Sequence, residues 1–264
     1  MNAATPAAAL TPSDADLERR FGGLRRLYGD AAYMRLRATR VAVVGLGGVG
    51  SWAAEALARC GVAKIVLVDM DHVAESNINR QVQALGYSIG QAKVDALAER
   101  LADIHPGCAL QRIDDFASPD NWPALIGGLD AVDGVIDACD QVAAKLALAA
   151  AARQAGHTLV VVGAAGGKRL AQQVEVADLS ETSHDPLLAA MRQRLRQQHG
   201  APRKGPLGLR CVFSRESVSR PATEDACASD GSLNCHGYGS SVVVTASFGM
   251  VAAGTLIEAL LHKP

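Results

Sequence analysis

Gly45-Leu46-Gly47-Gly48-Val49-Gly50 directly follows the apolar run Val41-Ala42-Val43-Val44, and glycines so placed let backbone N–H groups close on a phosphate. Gly45 permits the tight turn, Gly47 and Gly48 admit the phosphate to the backbone, and Gly50 lets the following helix pack on the strand. Asp69 ends a second apolar run, Ile65-Val66-Leu67-Val68, 19 residues beyond Gly50, where a carboxylate can accept from ribose hydroxyls. A dinucleotide-binding enzyme needs the glycines and the acid but has little use for an arginine and a lysine aimed beyond them. This chain continues with Ser76-Asn77-Ile78-Asn79-Arg80-Gln81 and then Lys93, 12 residues after Gln81. Arg80 offers a forked guanidinium and Lys93 a compact ammonium, both suited to terminal phosphates. Asn77 and Gln81 add neutral hydrogen-bonding groups. The set points to ATP and away from NAD. Asp137 and Asp140 follow a further apolar stretch, and either carboxylate could hold Mg²⁺ on the phosphates. Asp140, beyond the strand end, is the better placed.

Such residues need a scaffold that brings several chain segments to one edge. Apolar runs at 41–44, 65–68, 109–113, 134–136 and 159–162 predict strands, with a weaker one at 173–176. Helical patterns at 49–60, 91–104, 121–129 and 141–155 fall between them. The fold class expected is α/β: a Rossmann-like, doubly wound, mostly parallel sheet with an N-terminal helical arm and a C-terminal extension. The boundaries expected are a disordered tail at 1–12, the arm at 13–40, an ATP-binding core at 41–178 and the extension at 179–264. In the arm, Ser13 caps a short helix that Gly22-Gly23 interrupts. In the extension, 186–198 predicts a helix, 221–239 a mobile loop and 242–257 a buried apolar helix, in the core or at a dimer interface, in preference to a membrane span.

Composition narrows the function classes. The 264 residues carry a net charge of −1, so no global field draws the chain to DNA or an anionic membrane. Six cysteines lie without a C-x-x-C pair, which predicts a reducing cytoplasm and no structural zinc. One local patch departs from neutrality. Arg192, Arg194, Arg196, Arg203, Lys204, Arg210, Arg215 and Arg220 lie with a single acid, Glu216, a segment suited to a phosphate backbone.

The succession G-x-G-G-x-G-S, D-x-D from Asp69 to Asp71, S-N-x-N-R-Q, the lysine and D-x-x-D from Asp137 to Asp140 resembles the ubiquitin-activating-enzyme-like superfamily of ATP-dependent adenylating enzymes. Its bacterial relatives activate sulfur-carrier proteins. Glu18-Arg19-Arg20-Phe21-Gly22-Gly23-Leu24, Asp114-Asp115-Phe116, Asp185-Pro186-Leu187, Cys211-Val212-Phe213-Ser214 and Thr245-Ala246-Ser247-Phe248-Gly249 are similar to one branch, the tRNA threonylcarbamoyladenosine dehydratases. The resemblance spans roughly residues 18 to 260. It implies ATP contacts from Gly48, Asp69, Asp71, Asn79, Arg80, Gln81 and Lys93, with Asp140 near the metal. It also implies a homodimer in which Arg20 reaches the other protomer's phosphates, Arg19 being the competing candidate. Cofactors implied are ATP and Mg²⁺, with a monovalent cation left open. Partners implied are tRNA and a possible sulfur-transfer protein.

The chemistry implied is adenylation of the threonyl carboxylate beside the anticodon, then ring closure with loss of water. No general base stands out. Cys235, beside His236 in a glycine-rich segment, is a candidate nucleophile, and Cys227 a lesser one. Two alternatives remain open at this point: adenylation of the C-terminus of a ubiquitin-like sulfur carrier, and an NAD-dependent oxidoreductase. Lack of paired cysteines weighs against the first. Lys168-Arg169, after the turn Gly163-Ala164-Ala165-Gly166-Gly167, has no firm role in this reading.

Overall fold

The structure, a computed structural model, describes residues 16–219 and 238–262. Seven strands form one sheet: β1 (Arg40–Val44), β2 (Lys64–Val68), β3 (Ala109–Ile113), β4 (Gly134–Asp137), β5 (Thr158–Val162), β6 (Val174–Asp178) and β7 (Arg210–Ser214). Their order is β3-β2-β1-β4-β5-β7-β6, parallel throughout except for β6, which runs antiparallel to β7. The order reverses between β1 and β4, and a doubly wound sheet opens a ligand crevice at the carboxyl ends of the strands flanking that point.

Alternation along the strands assigns each face its helices. Val41, Val43, Ile65 and Leu67 point into one core with α2 (Asp30–Ala38), α3 (Gly50–Arg59), α4 (Lys93–Ile104) and α7 (Val242–Leu261). Ala42, Val44, Val66 and Val68 point into the other with α5 (Val142–Ala155) and α6 (Pro186–Gln198). Both faces of β1, β2, β4 and β5 are therefore dry. β3, at the edge, is only half buried, so the expectation of burial on both faces fails there.

Four other expectations need correction. The helix predicted at 121–129 is two 3₁₀ turns, Ala124–Ile126 and Leu129–Ala131, because Gly127 and Gly128 sit at φ of 84° and 90° between them. The first arm helix, α1 (Leu17–Tyr28), runs straight through Gly22-Gly23. Phe21 packs against His105 at 4.7 Å, and that contact outweighs the poor helix propensity of two glycines. Asp16 caps α1 by accepting from the Arg19 N–H at 3.0 Å, while Ser13 lies outside the described residues. Finally, the boundary at 178/179 does not divide the structure. β7 enters the same sheet between β5 and β6, and α7 packs on α3, β4 and β5.

α7 is long and apolar enough to cross a bilayer, but Val244, Phe248, Ala252, Leu256, Ile257 and Leu260 are buried in the core. Each large side chain buried this way contributes roughly 1.5–3 kcal/mol. Gly249 allows the approach to α3: a Cβ there would lie 2.6 Å from the Val49 carbonyl oxygen. The tail at 1–12, and the greater part of the loop at 221–239, lie outside the described residues.

Candidate functional site

A cleft opens where the order reverses, its floor made by the carboxyl ends of β1, β2, β4 and β5. Gly45 turns the chain at φ of 86°, and a Cβ on it would strike the Cys139 backbone nitrogen at 2.8 Å. On Gly50 a Cβ would lie 1.8 Å from the Gly45 carbonyl oxygen, so helix and turn meet without room for a methyl group. A Cβ on Gly47 would meet nothing within 4 Å. Its backbone borders the open cleft, beside the N-terminus of α3.

Asp69 and Lys93 form the opposite wall. The Asp69 carboxylate accepts from the Leu46 N–H at 2.6 Å and from the Asp71 N–H at 2.9 Å. Burial raises its pKa, and the nearby Lys93 charge opposes the rise. Lys93 opens α4, almost fully buried, with Nζ 2.6 Å from Asp71 Oδ2 and 3.6 Å from Asp69 Oδ1. Asp71 is well exposed, so a stronger anion entering the cleft can replace it as the lysine's partner.

The S-N-x-N-R-Q segment lies behind the glycine turn. Arg80 has its Cγ 3.2 Å from the position of a Cβ on Gly48. Its main-chain oxygen accepts from Trp52 Nε1 at 3.0 Å, and its Nη1 donates to Asn79 Oδ1 at 2.9 Å. Asn79 Nδ2 donates to the Ser240 carbonyl at 3.0 Å. Two residues expected at the nucleotide serve elsewhere. Asn77 Oδ1 accepts from the Ala74 N–H at 3.0 Å and caps its own turn. Gln81 is buried, its Oε1 accepting from Gln83 Nε2 at 3.1 Å. Gln83 also donates to the Leu46 carbonyl at 3.0 Å, bracing the glycine turn from behind. Neither Arg80, Asn77, Asn79 nor Gln81 lines the cleft.

The two aspartates after β4 separate. Asp140 is exposed on the cleft wall and has no ion pair among the described residues. Asp137 is fully buried below it, its Oδ1 accepting from Lys145 Nζ at 3.0 Å and from Cys139 Sγ at 2.8 Å. Asp137 is thus held in a core ion pair, off the cleft lining. Burial works against the Lys145 ammonium, but Asp137 outweighs it and raises the lysine's pKa. Cys139 is a packing residue, its thiol pushed up by burial and by Asp137.

Arg20 sits at the other end of the molecule, donating to the Asp103 and Ile104 carbonyls at 2.8 and 2.7 Å, where α4 ends. Three members of the basic segment are tied down. Arg192 donates to the Leu179 and Thr182 carbonyls, each at 2.9 Å, Arg196 to the Pro202 carbonyl at 3.1 Å, and Arg215 pairs with Glu175 at 2.7 Å. Arg194, Arg203, Lys204 and Arg210 remain exposed. Arg220, Cys227, Cys235 and His236 lie outside the described residues. The cleft also takes walls that motif spacing did not assign to it, among them Asp115, Phe116, Gln141, Thr245 and the turn 163–166. Their signal was position: most follow directly on a strand's carboxyl end.

Comparison with known proteins agrees with this geometry. The ThiF family matches residues 20–264. Over 255 residues the chain is 42% identical to the tRNA threonylcarbamoyladenosine dehydratase of Escherichia coli K12, covering 93% of this chain and 94% of that protein. It is 39% identical over 249 residues to the Haemophilus influenzae enzyme of the same description, covering 93% and 95% respectively. The crystal structure of E. coli tRNA N6-threonylcarbamoyladenosine dehydratase in complex with ATP superposes with a TM-score of 0.83 at 41% identity, over 93% of this chain and 96% of that one.

Proposed function

This chain belongs to the ThiF family, and on that premise we propose that it carries out the ATP-dependent dehydration of threonylcarbamoyladenosine in tRNA. The observation that carries the reading is a triphosphate-suited cleft in a chain that matches the dehydratases almost end to end.

The threonyl carboxylate is an anion and a poor electrophile. Its oxygen bonds to the α-phosphorus of ATP, pyrophosphate leaves, and the carboxyl carbon gains AMP as a leaving group. A nucleophile within the same modification then attacks that carbon and loses its proton, and AMP departs with the carboxylate oxygen. The net result is one ring and the loss of one water. Little covalent work falls to the protein, so placement and charge dominate. The turn from Gly45 to Gly50 cradles phosphate through backbone N–H groups. Asp69 takes the ribose, exchanging its bond from Leu46 for hydroxyl donors. Lys93 leaves Asp71 for the phosphates, and Arg80 reaches them past Gly48 from behind the turn.

Among the described residues no three His, Cys, Asp or Glu side chains cluster to hold a metal by themselves. Asp140 offers a carboxylate without an ion pair on the cleft wall, and one hard oxygen ligand beside a triphosphate fits Mg²⁺. Bound there, the ion would offset phosphate charge. The working form is a homodimer in the cytoplasm with Arg20 serving the neighbouring cleft, and a sulfur-transfer protein is a further candidate partner.

Mass analysis of tRNA nucleosides before and after incubation with enzyme and ATP tests the reaction. Loss of one water from threonylcarbamoyladenosine, with stoichiometric AMP, is expected. AMP or pyrophosphate release driven by a ubiquitin-like carrier protein, with tRNA inert, would replace this reading with carrier activation.

A further inference from the structure

Lys168 is 3% exposed, at the end of the glycine-rich turn that follows β5 and walls the cleft. Among the described residues no carboxylate lies within ion-pairing distance of its ammonium. Nζ donates instead to three backbone carbonyls: His184 at 2.9 Å, Ser214 at 3.3 Å, and Glu216. They come from the loop before α6, the last residue of β7 and the segment after it. An ammonium has three donors and no acceptor, so these three oxygens satisfy it fully.

The nearest carboxylates are engaged with backbone. Asp185 accepts from the Ala164 and Leu188 N–H groups at 2.8 and 3.0 Å. Glu216 accepts from the Arg169 N–H at 2.9 Å and the Leu170 N–H at 2.8 Å. They lend the cage negative potential without bonding the lysine. Burial lowers the Lys168 pKa, and those two charges oppose the fall.

Backbone carbonyls converging on one dry point are the surroundings that replace the hydration shell of a monovalent ion. Without a cation, three acceptors would face one another unpaired. We propose that the Lys168 ammonium is a tethered stand-in for a monovalent cation, and that removing its side chain leaves a site that takes free K⁺ or NH₄⁺. This accounts for a lysine where motif spacing suggested no role. It also gives the cage a purpose, because it joins the cleft-lining turn to β7 and to the start of α6. A Cβ on Gly163 would lie 2.1 Å from Asp185 Oδ2, so the turn and the α6 N-terminus cannot shift independently.

The test is thermal unfolding of the wild-type chain and Lys168→Ala in potassium, ammonium or tetramethylammonium chloride at equal ionic strength. The wild type should have nearly the same Tm in all three. Lys168→Ala should lose about 5 °C or more in tetramethylammonium and regain at least half of it, saturably, in K⁺ or NH₄⁺. A variant that folds only in K⁺ or NH₄⁺ also supports the proposal. A K⁺ gain no larger in the variant than in the wild type, or one matched by tetramethylammonium, overturns it. Should Lys168→Ala fold in none of the salts, Lys168→Ser, which also vacates the ammonium's position and leaves a small polar side chain, carries the same comparison. Tm reads the cage directly, so its outcome does not depend on the proposed reaction.

Discussion

On the proposed reading, Lys93 would meet ATP already holding a partner. Its 2.6 Å contact with exposed Asp71 fixes the ammonium in the cleft wall, and a triphosphate would displace that carboxylate. Lys93→Ala and Arg80→Ala should each lower AMP formation by about 10²-fold or more, as lost transition-state charge stabilisation does elsewhere. Lys93→Ala also takes the countercharge from buried Asp69, so its melting temperature should fall, and the loss of AMP formation is read on protein shown to be folded. Ordinary pyrophosphate release in either variant would remove the phosphate assignment. Asp69→Asn belongs beside them: its single amide oxygen can accept from the Leu46 or the Asp71 N–H but not both, and it loses the charge for the ribose contact, so KM for ATP should rise about tenfold with a smaller change in kcat. That Gly45, Asp69, Lys93 and Asp140 lie on the cleft was legible from sequence, because each stands at or just beyond an element end. That Asn77, Gln81 and Asp137 lie off the cleft, each bonded within the protein, was not legible, for a physical reason. A polar residue near a site can brace it as readily as bind through it, and only burial and partners separate the two. Lys168 is the converse, a charge whose partners are main-chain oxygens that no side-chain pattern announces.

At the level of elements, the strands and helices that repeat the doubly wound pattern were readable from apolar runs and periodicity. The departures fall where tertiary contact overrides local preference. α1 survives two glycines because Phe21 packs against His105 in a tilted ring contact and Arg37 lies over the Phe21 ring at 4.9 Å. β7 escaped notice because a single short run between glycine-rich segments finds its sheet only through neighbours distant in sequence. The α1–α4 junction has a pH signature. His105 is buried beside Arg37, and burial followed by that positive charge depresses its pKa to about 4. Unfolded, the ring takes its proton near pH 6.5, so between that pH and about 4 the unfolded chain binds more protons than the folded one. Stability is therefore intact above the unfolded value and falls on acidification, by roughly 1–3 kcal/mol. Denaturant midpoints from pH 7.5 to 4.5 should decline more steeply for the wild type than for His105→Gln. Parallel declines would place the acid sensitivity elsewhere. Gly249→Leu tests the α7–α3 crossing in the same way. With backbone 2.6 Å from any added Cβ, overpacking should cost about 1–3 kcal/mol or more.

The whole molecule sets a problem that one chain cannot solve. α4 begins at Lys93 in the cleft and ends at Ile104, and Arg20 is bound at that far end. Twelve helical residues put roughly 16–18 Å between them, well beyond the reach of an arginine side chain. If Arg20 touches phosphate, the phosphate is in another copy's cleft, and the arm must give up two carbonyls of its own α4 to do so. Apolar side chains left exposed on α1, α2 and α7, including Leu27, Met34, Val243 and Met250, supply surface for such an association. The logic of a two-fold dimer makes the idea decidable. Arg20→Ala and Asp140→Ala should each be inactive alone. In a hybrid, the protomer with intact Asp140 receives Arg20 from its partner, while the other site lacks Asp140. Random mixing makes half the dimers hybrids with one working site of two, so about a quarter of wild-type activity should return. Action in cis predicts none, because every site in every dimer then lacks one of the pair. Differently tagged protomers show whether hybrids have formed. Hybrids that form and stay inactive would leave Arg20 as a cap on α4 and nothing more.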